Sequence, residues 1–143
     1  MKNLQITVLL LVSLYGSICS AADRGILFLQ QERPGHIIYV SLNELTDNAM
    51  VNVIGMGASK VNKETFIPIR KFNEMWKLVH SEQFNKFSVP DDSKRNMADP
   101  RFYTISYSVK GNTKKIIQIP ITEKKGKIGV FVNKLKDFIP GKS

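Results

Sequence analysis

Cysteine is almost absent from this chain of 143 residues, which contains only Cys19. Because we interpret residues 1–22 as a cleaved export signal, the mature chain has no cysteine at all. It therefore cannot form disulfides, thiolate metal sites or a cysteine nucleophile. Small secreted domains of animals usually depend on disulfides. An exported domain of about 120 residues without them is more typical of a bacterial periplasm or exterior, and it is long enough to bury its own core.

Groups for catalysis are also scarce. The chain has two histidines, His36 after a Pro-Gly turn and His80 at the end of a predicted helix. It contains no Gly-x-Ser-x-Gly, His-Glu-x-x-His or Walker sequence. We therefore predict no catalytic residues and a protein that is not an enzyme. A small hydrolase without a recognisable motif, built from either histidine with a serine and a carboxylate, stays open as a second alternative.

Sequence signals for cofactors and metals are equally few. Gly55-Met56-Gly57 lacks the further glycine or the Gly-Lys-Ser/Thr ending that a phosphate-binding loop requires, so it predicts a hairpin turn. Asp91, Asp92 and Asp99 do not have the alternate spacing and the closing glutamate of a calcium loop. We predict no cofactor and no metal site.

The first 22 residues have the features of a secretory signal peptide. Lys2 is followed by a mostly apolar run, Leu4–Leu14, and then by Ser20-Ala21-Ala22, which allows cleavage after Ala21 or Ala22. The run is too short to span a bilayer, for which about 20 residues are needed. We predict a periplasmic or secreted protein with one globular domain, residues 23–143, and no transmembrane segment after cleavage. Lipid attachment at Cys19 is disfavoured by the preceding isoleucine.

Positive charge is concentrated near the carboxyl end. Without Lys2 the chain has 20 basic and 12 acidic residues, and nine lysines against two acidic residues lie between Lys110 and Ser143. Such a cluster is either a solvated surface or an electrostatic footprint for an acidic partner. The candidate binding residues are Lys110, Lys114, Lys115, Lys124, Lys125 and Lys127.

Apolar periodicity predicts an antiparallel sheet with two helices. Alternation marks a hairpin over Phe102–Ile119, and a period of three to four residues marks two amphipathic helices, one from Ile69 to Val79 and one from Ile128 to Ile139. On the first strand of the hairpin the predicted outward residues are Phe102, Thr104, Ser106 and Ser108. Their hydroxyls, flanked by an aromatic ring and lysines, form either a recognition surface or an ordinary hydrated sheet face, and we predict the hydrated face. Further strands are predicted at residues 26–29, 36–42, 50–54 and 63–69, and an exposed loop at residues 85–101.

Two parts of the chain share one order of elements. Each has a strand, a glycine turn, a second strand, an Ile-Pro-Ile triplet and a helix, and the triplets begin at Ile67 and Ile119. The two triplets lie 52 positions apart, and the same offset aligns Val51 with Tyr103. We predict an α+β fold with an antiparallel sheet of about five to six strands and two amphipathic helices packed on one face. Two duplicated ββα units and a chance likeness are both compatible with this pattern.

These features favour an exported, non-catalytic binding module that interacts with another protein. The order of elements resembles, in topology alone, small exported bacterial domains, some of which inhibit secreted enzymes; inhibition is one form the interaction could take. The alternative is a basic module that binds an anionic envelope polymer or lipid head groups. Nucleic acid is disfavoured because the basic region contains lysines without an aromatic and arginine stacking platform. The oligomeric state stays open.

Overall fold

The structure is a computed structural model that describes residues 23–57, 60–89 and 100–141. The predicted signal peptide with Cys19, and the three aspartates considered as metal ligands, lie outside the described residues. Among the described helices, none combines the length and the apolar character needed to cross a membrane.

Seven antiparallel strands form one sheet, and this confirms the predicted α+β class. Their order across the sheet is β4-β3-β2-β1-β6-β7-β5. The strand number exceeds the predicted five to six because Ser88 and Val89, within the segment predicted to be a loop, form β5 and pair with β7. The strands are β1 (Arg24–Arg33), β2 (His36–Glu44), β3 (Asn48–Met56), β4 (Asn62–Pro68), β5 (Ser88–Val89), β6 (Phe102–Val109) and β7 (Asn112–Pro120).

The described helices are α1 (Ile69–Val79), α2 (Glu82–Asn85) and α3 (Gly126–Lys136), and they pack on one face of the sheet. The two predicted amphipathic helices are thus confirmed as α1 and α3, whereas the short α2 was not predicted. Pro68 ends β4 and occupies the position directly before α1, without a side-chain hydrogen bond to the helix. The helices and the sheet share one core, whose largest fully buried side chains include Phe28, Phe72, Phe84, Phe131, Leu42, Ile105 and Ile117.

The sheet has an approximate internal symmetry. β1 and β2 form its centre, the β3–β4–α1 unit extends one side, and the β6–β7–α3 unit extends the other. Both Ile-Pro-Ile triplets end a strand. Ile67 lies opposite Ala49 and Ile119 lies opposite Tyr103, so the match of Val51 with Tyr103 is wrong by two residues. Because the shift is an even number of residues, the matched side chains still point to the same face of the sheet.

Charge divides unevenly along the described chain. Residues 23–57 and 60–89 have eight basic and seven acidic side chains, whereas residues 100–141, which contain β6, β7 and α3, have nine basic and two acidic ones. The cationic character predicted for the end of the chain therefore belongs to one side of the fold.

Candidate binding surfaces

The sheet face opposite the three described helices, here called the outer face, carries exposed apolar side chains on part of β1–β4. Successive side chains of a strand point to opposite faces. Val40 and Val53 point to the helices, so Tyr39 and Ile54, which pair with each other, point outward. Four large apolar side chains of the outer face are 41–54% exposed, and they are Leu27, Ile54, Met56 and Phe66.

Most of these side chains form one continuous cluster. Ile37 pairs with Met56 and Tyr39 pairs with Ile54, on neighbouring rows of the same face. Leu27 pairs with Ser41 and so lies diagonally beside Tyr39. We call Leu27, Ile37, Tyr39, Ile54 and Met56 the apolar patch.

A polar groove of about 260 Å³ lies next to the apolar patch, where β2, β1 and β6 run side by side. Hydroxyl and amide groups line it, and these groups can both donate and accept hydrogen bonds. Gly25 leaves the space: a Cβ at this position would lie 3.0 Å from Ser108 Oγ and 3.2 Å from Asn43 Oδ1. The polar side chains of the groove are Ser41, Asn43, Ser106, Ser108 and Thr113.

The predicted outward residues of β6 do lie on the outer face, because Tyr103 and Ile105 face the helices. The prediction of a hydrated surface is nevertheless wrong for part of it. Thr104 on β6 is almost fully buried, and so is Ile116 on the neighbouring strand β7. Ser106 and Ser108 instead line the polar groove.

The six predicted lysines occupy two places. Lys110 lies in the β6–β7 turn, with φ of 52°, and Lys114 and Lys115 follow on β7. Lys124 and Lys125 precede α3, and Lys127 lies in its first turn.

The short helix α2 contacts both groups of lysines. Asn85 Oδ1 accepts a hydrogen bond from the Lys115 ammonium. Two residues earlier, Gln83 Nε2 donates to the Lys125 carbonyl at 3.1 Å, and Gln83 Oε1 accepts from the Lys127 amide at 2.8 Å. The fold thus brings Lys115 and the backbone at Lys125 and Lys127 to the same short helix, although the role of the lysines in binding stays a prediction.

His80 belongs to an aromatic cluster. Its ring centroid lies 4.5 Å from that of Trp76 and 4.2 Å from that of Tyr107, and His80 Nδ1 is 2.8 Å from the Trp76 carbonyl. Trp76 also packs against the core, as its helical spacing predicted. In the part of the chain that the structure describes, no ion pair or hydrogen bond joins His36 or His80 to a carboxylate. The described geometry therefore gives the hydrolase alternative no support.

Arg24 and Glu44 form an ion pair at the end of the sheet beside α1. Arg24 Nε and Nη2 donate to the Glu44 carboxylate at 2.8 and 2.5 Å, and Nη2 also donates to Asn73 Oδ1 at 2.6 Å. The Arg24 guanidinium lies 5.2 Å from the Trp76 ring centroid. These hydrogen bonds lower the pKa of Glu44 and raise that of Arg24, against an opposing effect of burial. Every partner is internal, so we assign this pair to stability.

Comparisons with protein-family models, curated proteins and solved structures found no match for this chain. The function must therefore be inferred from the surfaces themselves. The apolar patch was not predicted from the sequence, although a signal for it exists. β2 and β3 contain apolar residues at both parities, for example Ile37 beside Ile38 and Val53 beside Ile54, which is typical of strands with two apolar faces.

Proposed function

We propose that this protein is an exported, non-catalytic binding module that docks another protein on the outer face of its sheet. The observation that supports this most directly is the apolar patch, in which Ile54 and Met56 are 47% and 53% exposed next to half-buried Tyr39 and Ile37. Contiguous apolar surface of this kind on a folded domain usually marks an interaction site. The partner would bury the patch against its own apolar side chains.

The polar groove gives the proposed interface its second part. Interfaces between proteins commonly combine an apolar centre with a polar rim that supplies directional hydrogen bonds. The hydroxyl groups of Ser41, Ser106 and Ser108 border the patch on one side and can select a partner by its backbone or side-chain polar groups. The patch would thus provide affinity and the groove specificity.

The face of the sheet is a better docking site than its edges. On the edge strand β4, Lys63 points to the helix side, opposite Val53, and Pro68 ends the strand. An inward-pointing charge and a proline are features that oppose the addition of another strand. At the other edge, β5 already pairs with Ile116 and Ile117 of β7.

The partner should carry little charge at the contact, because none of the residues that form the apolar patch or line the polar groove is charged. Inhibition of a secreted enzyme is one activity that such docking would produce. A second copy of this chain is a different occupant, and the oligomeric state in solution distinguishes it from a foreign partner.

The test is affinity capture from the periplasmic and secreted fractions of the native cells with three forms of the purified protein. They are the unmodified protein, the variant I54S/M56S, and the matched control I121S/V130S, which changes two exposed apolar residues outside the patch. We expect a stoichiometric partner with the first and third forms. Since interface truncations that matter cost more than about 1 kcal/mol each, the patch variant should bind at least tenfold more weakly.

Repeated recovery of no stoichiometric protein would contradict the proposal, and so would equal recovery by the patch variant and its control. Self-association that the patch variant abolishes would replace the foreign partner by a second copy. Circular dichroism and thermal unfolding of all forms exclude misfolding as the cause, because substitutions at exposed positions usually change stability by less than about 0.5 kcal/mol.

A further inference from the structure

We propose that a second surface, separate from the apolar patch, docks this protein on an anionic lipid bilayer. This basic surface consists of the exposed side of α3 and the loop that precedes it. Its charged residues are Lys124, Lys125, Lys127 and Lys134, and its exposed apolar residues are Ile121 and Val130.

Charge supports an anionic partner. Residues 100–141 have nine basic and two acidic side chains. Five of the lysines lie around α3 together with both acidic residues, Glu123 and Asp137, so this segment has a net charge of +3. The surface potential of an anionic membrane attracts basic segments by about 1 kcal/mol for each lysine that reaches it. Several lysines together are sufficient for reversible binding.

The exposed side of α3 mixes charge with an apolar group. Ile128, Phe131 and Leu135 are buried in the core. The opposite side therefore presents Lys127, Val130 and Asn133. Lys134 lies at its margin, half-buried, with its ammonium 3.7 Å from the Glu74 carboxylate of α1. Val130 is 49% exposed between Lys127 and Lys134.

The apolar component favours a bilayer over a hydrated polyanion. Helices that bind membrane surfaces combine lysines with apolar side chains that enter the boundary between head groups and acyl chains. Val130 and Ile121, which is 38% exposed and precedes Lys124, can make such contacts. A soluble anionic polymer offers them no apolar environment.

The loop that carries the lysines is held in place by the rest of the fold. Gln83 bonds to the backbone at both Lys125 and Lys127. The backbone at Gly129 approaches the loop so closely that a Cβ there would lie 2.3 Å from the Lys124 carbonyl oxygen. Binding therefore needs little ordering of the backbone, which lowers its entropic cost.

The basic surface and the apolar patch lie on different faces of the sheet. The helices, including α3, cover one face, and Ile54 and Met56 project from the other. Membrane docking through α3 would leave the patch accessible to a protein partner. The two proposals are therefore independent and can fail separately.

The test is co-sedimentation of the purified protein with vesicles of phosphatidylcholine alone or with about one-third phosphatidylglycerol, at low and at physiological salt. We expect binding only to the anionic vesicles, and weaker binding as salt rises. Each lysine neutralised should reduce the affinity about fivefold, so K125Q/K127Q should bind about 25-fold more weakly. V130S should weaken binding several-fold without a change in charge.

The control variant K60Q/K63Q removes the same charge from exposed positions near the β3–β4 connection and should bind as the unmodified protein does. A loss in this control equal to that of K125Q/K127Q would overturn the assignment of the site. Equal binding to both vesicle types, or to neither, would overturn the proposal as a whole. If V130S binds normally while inorganic polyphosphate competes fully, the ligand is a soluble polyanion and the assignment to lipid is refuted.

Discussion

The replacement of Glu44 by glutamine tests how much the internal ion pair contributes to stability. In the unmodified protein the Glu44 carboxylate accepts two hydrogen bonds from Arg24, and the two side chains are only 18% and 27% exposed. A glutamine keeps the shape and one acceptor but loses the charge and places an amide group against a guanidinium donor. Hydrogen bonds to charged groups contribute about 1.5–3 kcal/mol. Since the pair keeps some contact with water, we expect a loss of about 1–2 kcal/mol at pH 7.

The loss should depend on pH with a defined sign. The Arg24 hydrogen bonds hold the pKa of Glu44 below its ordinary value, so the folded state prefers the ionised carboxylate. That stabilisation is fully present above the pKa of the unfolded chain, about 4.3 for a glutamate. It disappears as the pH falls through the lowered pKa of the folded state. The difference between the two proteins should therefore be constant from pH 6 to 8 and fade below about pH 4.

Urea denaturation followed by the fluorescence of Trp76, the sole tryptophan, measures this difference directly. The matched control is E64Q, because Glu64 is exposed on β4 and its replacement should cost less than about 0.5 kcal/mol. Equal destabilisation by E44Q at pH 7 and at about pH 3 would refute the electrostatic reasoning and leave only an effect of shape. No destabilisation at pH 7 would show that desolvation cancels the attraction.

Two further predictions concern α3 and are measured by the same denaturation assay. The replacement G129A would ordinarily stabilise a helix by about 1 kcal/mol. Here the new Cβ would lie 2.3 Å from the Lys124 carbonyl oxygen and overlap it, so we expect a net loss of about 1–3 kcal/mol. An increase in stability would refute the close approach. The replacement F131A removes a ring that is fully buried and lies edge-to-face with Phe84, with 5.3 Å between the ring centroids. It should lower the free energy of unfolding by about 3–5 kcal/mol. A nearly unchanged denaturation midpoint would contradict the place of Phe131 in the core.

Local patterns in the sequence were sufficient to predict the described elements of the fold except α2 and β5. The alternation from Tyr103 to Val109 and the apolar spacing of α3 need no knowledge of distant residues. The sheet order was beyond them, since it depends on which strands pair across long stretches of chain. β1 illustrates this: its apolar run at residues 26–29 predicted a short strand, whereas pairing on both sides with β2 and β6 extends it to Arg24–Arg33.

The candidate surfaces were predicted in part. The lysines were visible as a local excess of charge, but their proximity to α2 depends on Gln83 and Asn85, which gave no signal in the sequence. The apolar patch was hidden because Ile54 and Met56 resemble core residues of a strand. Only the absence of a described helix over the outer face identifies them as exposed.

The approximate symmetry of the fold strengthens the case that its surfaces are functional. The β3–β4–α1 and β6–β7–α3 units bury similar apolar cores, so folding places similar demands on both. Nothing in those demands requires five basic and two acidic residues in the first unit, residues 48–79, but eight basic and one acidic residue in the second, residues 102–136. A concentration of like charge opposes folding through self-repulsion. We propose that this asymmetry, which the core does not need and folding must overcome, reflects what each surface contacts: an apolar protein surface on one face and an anionic bilayer at α3.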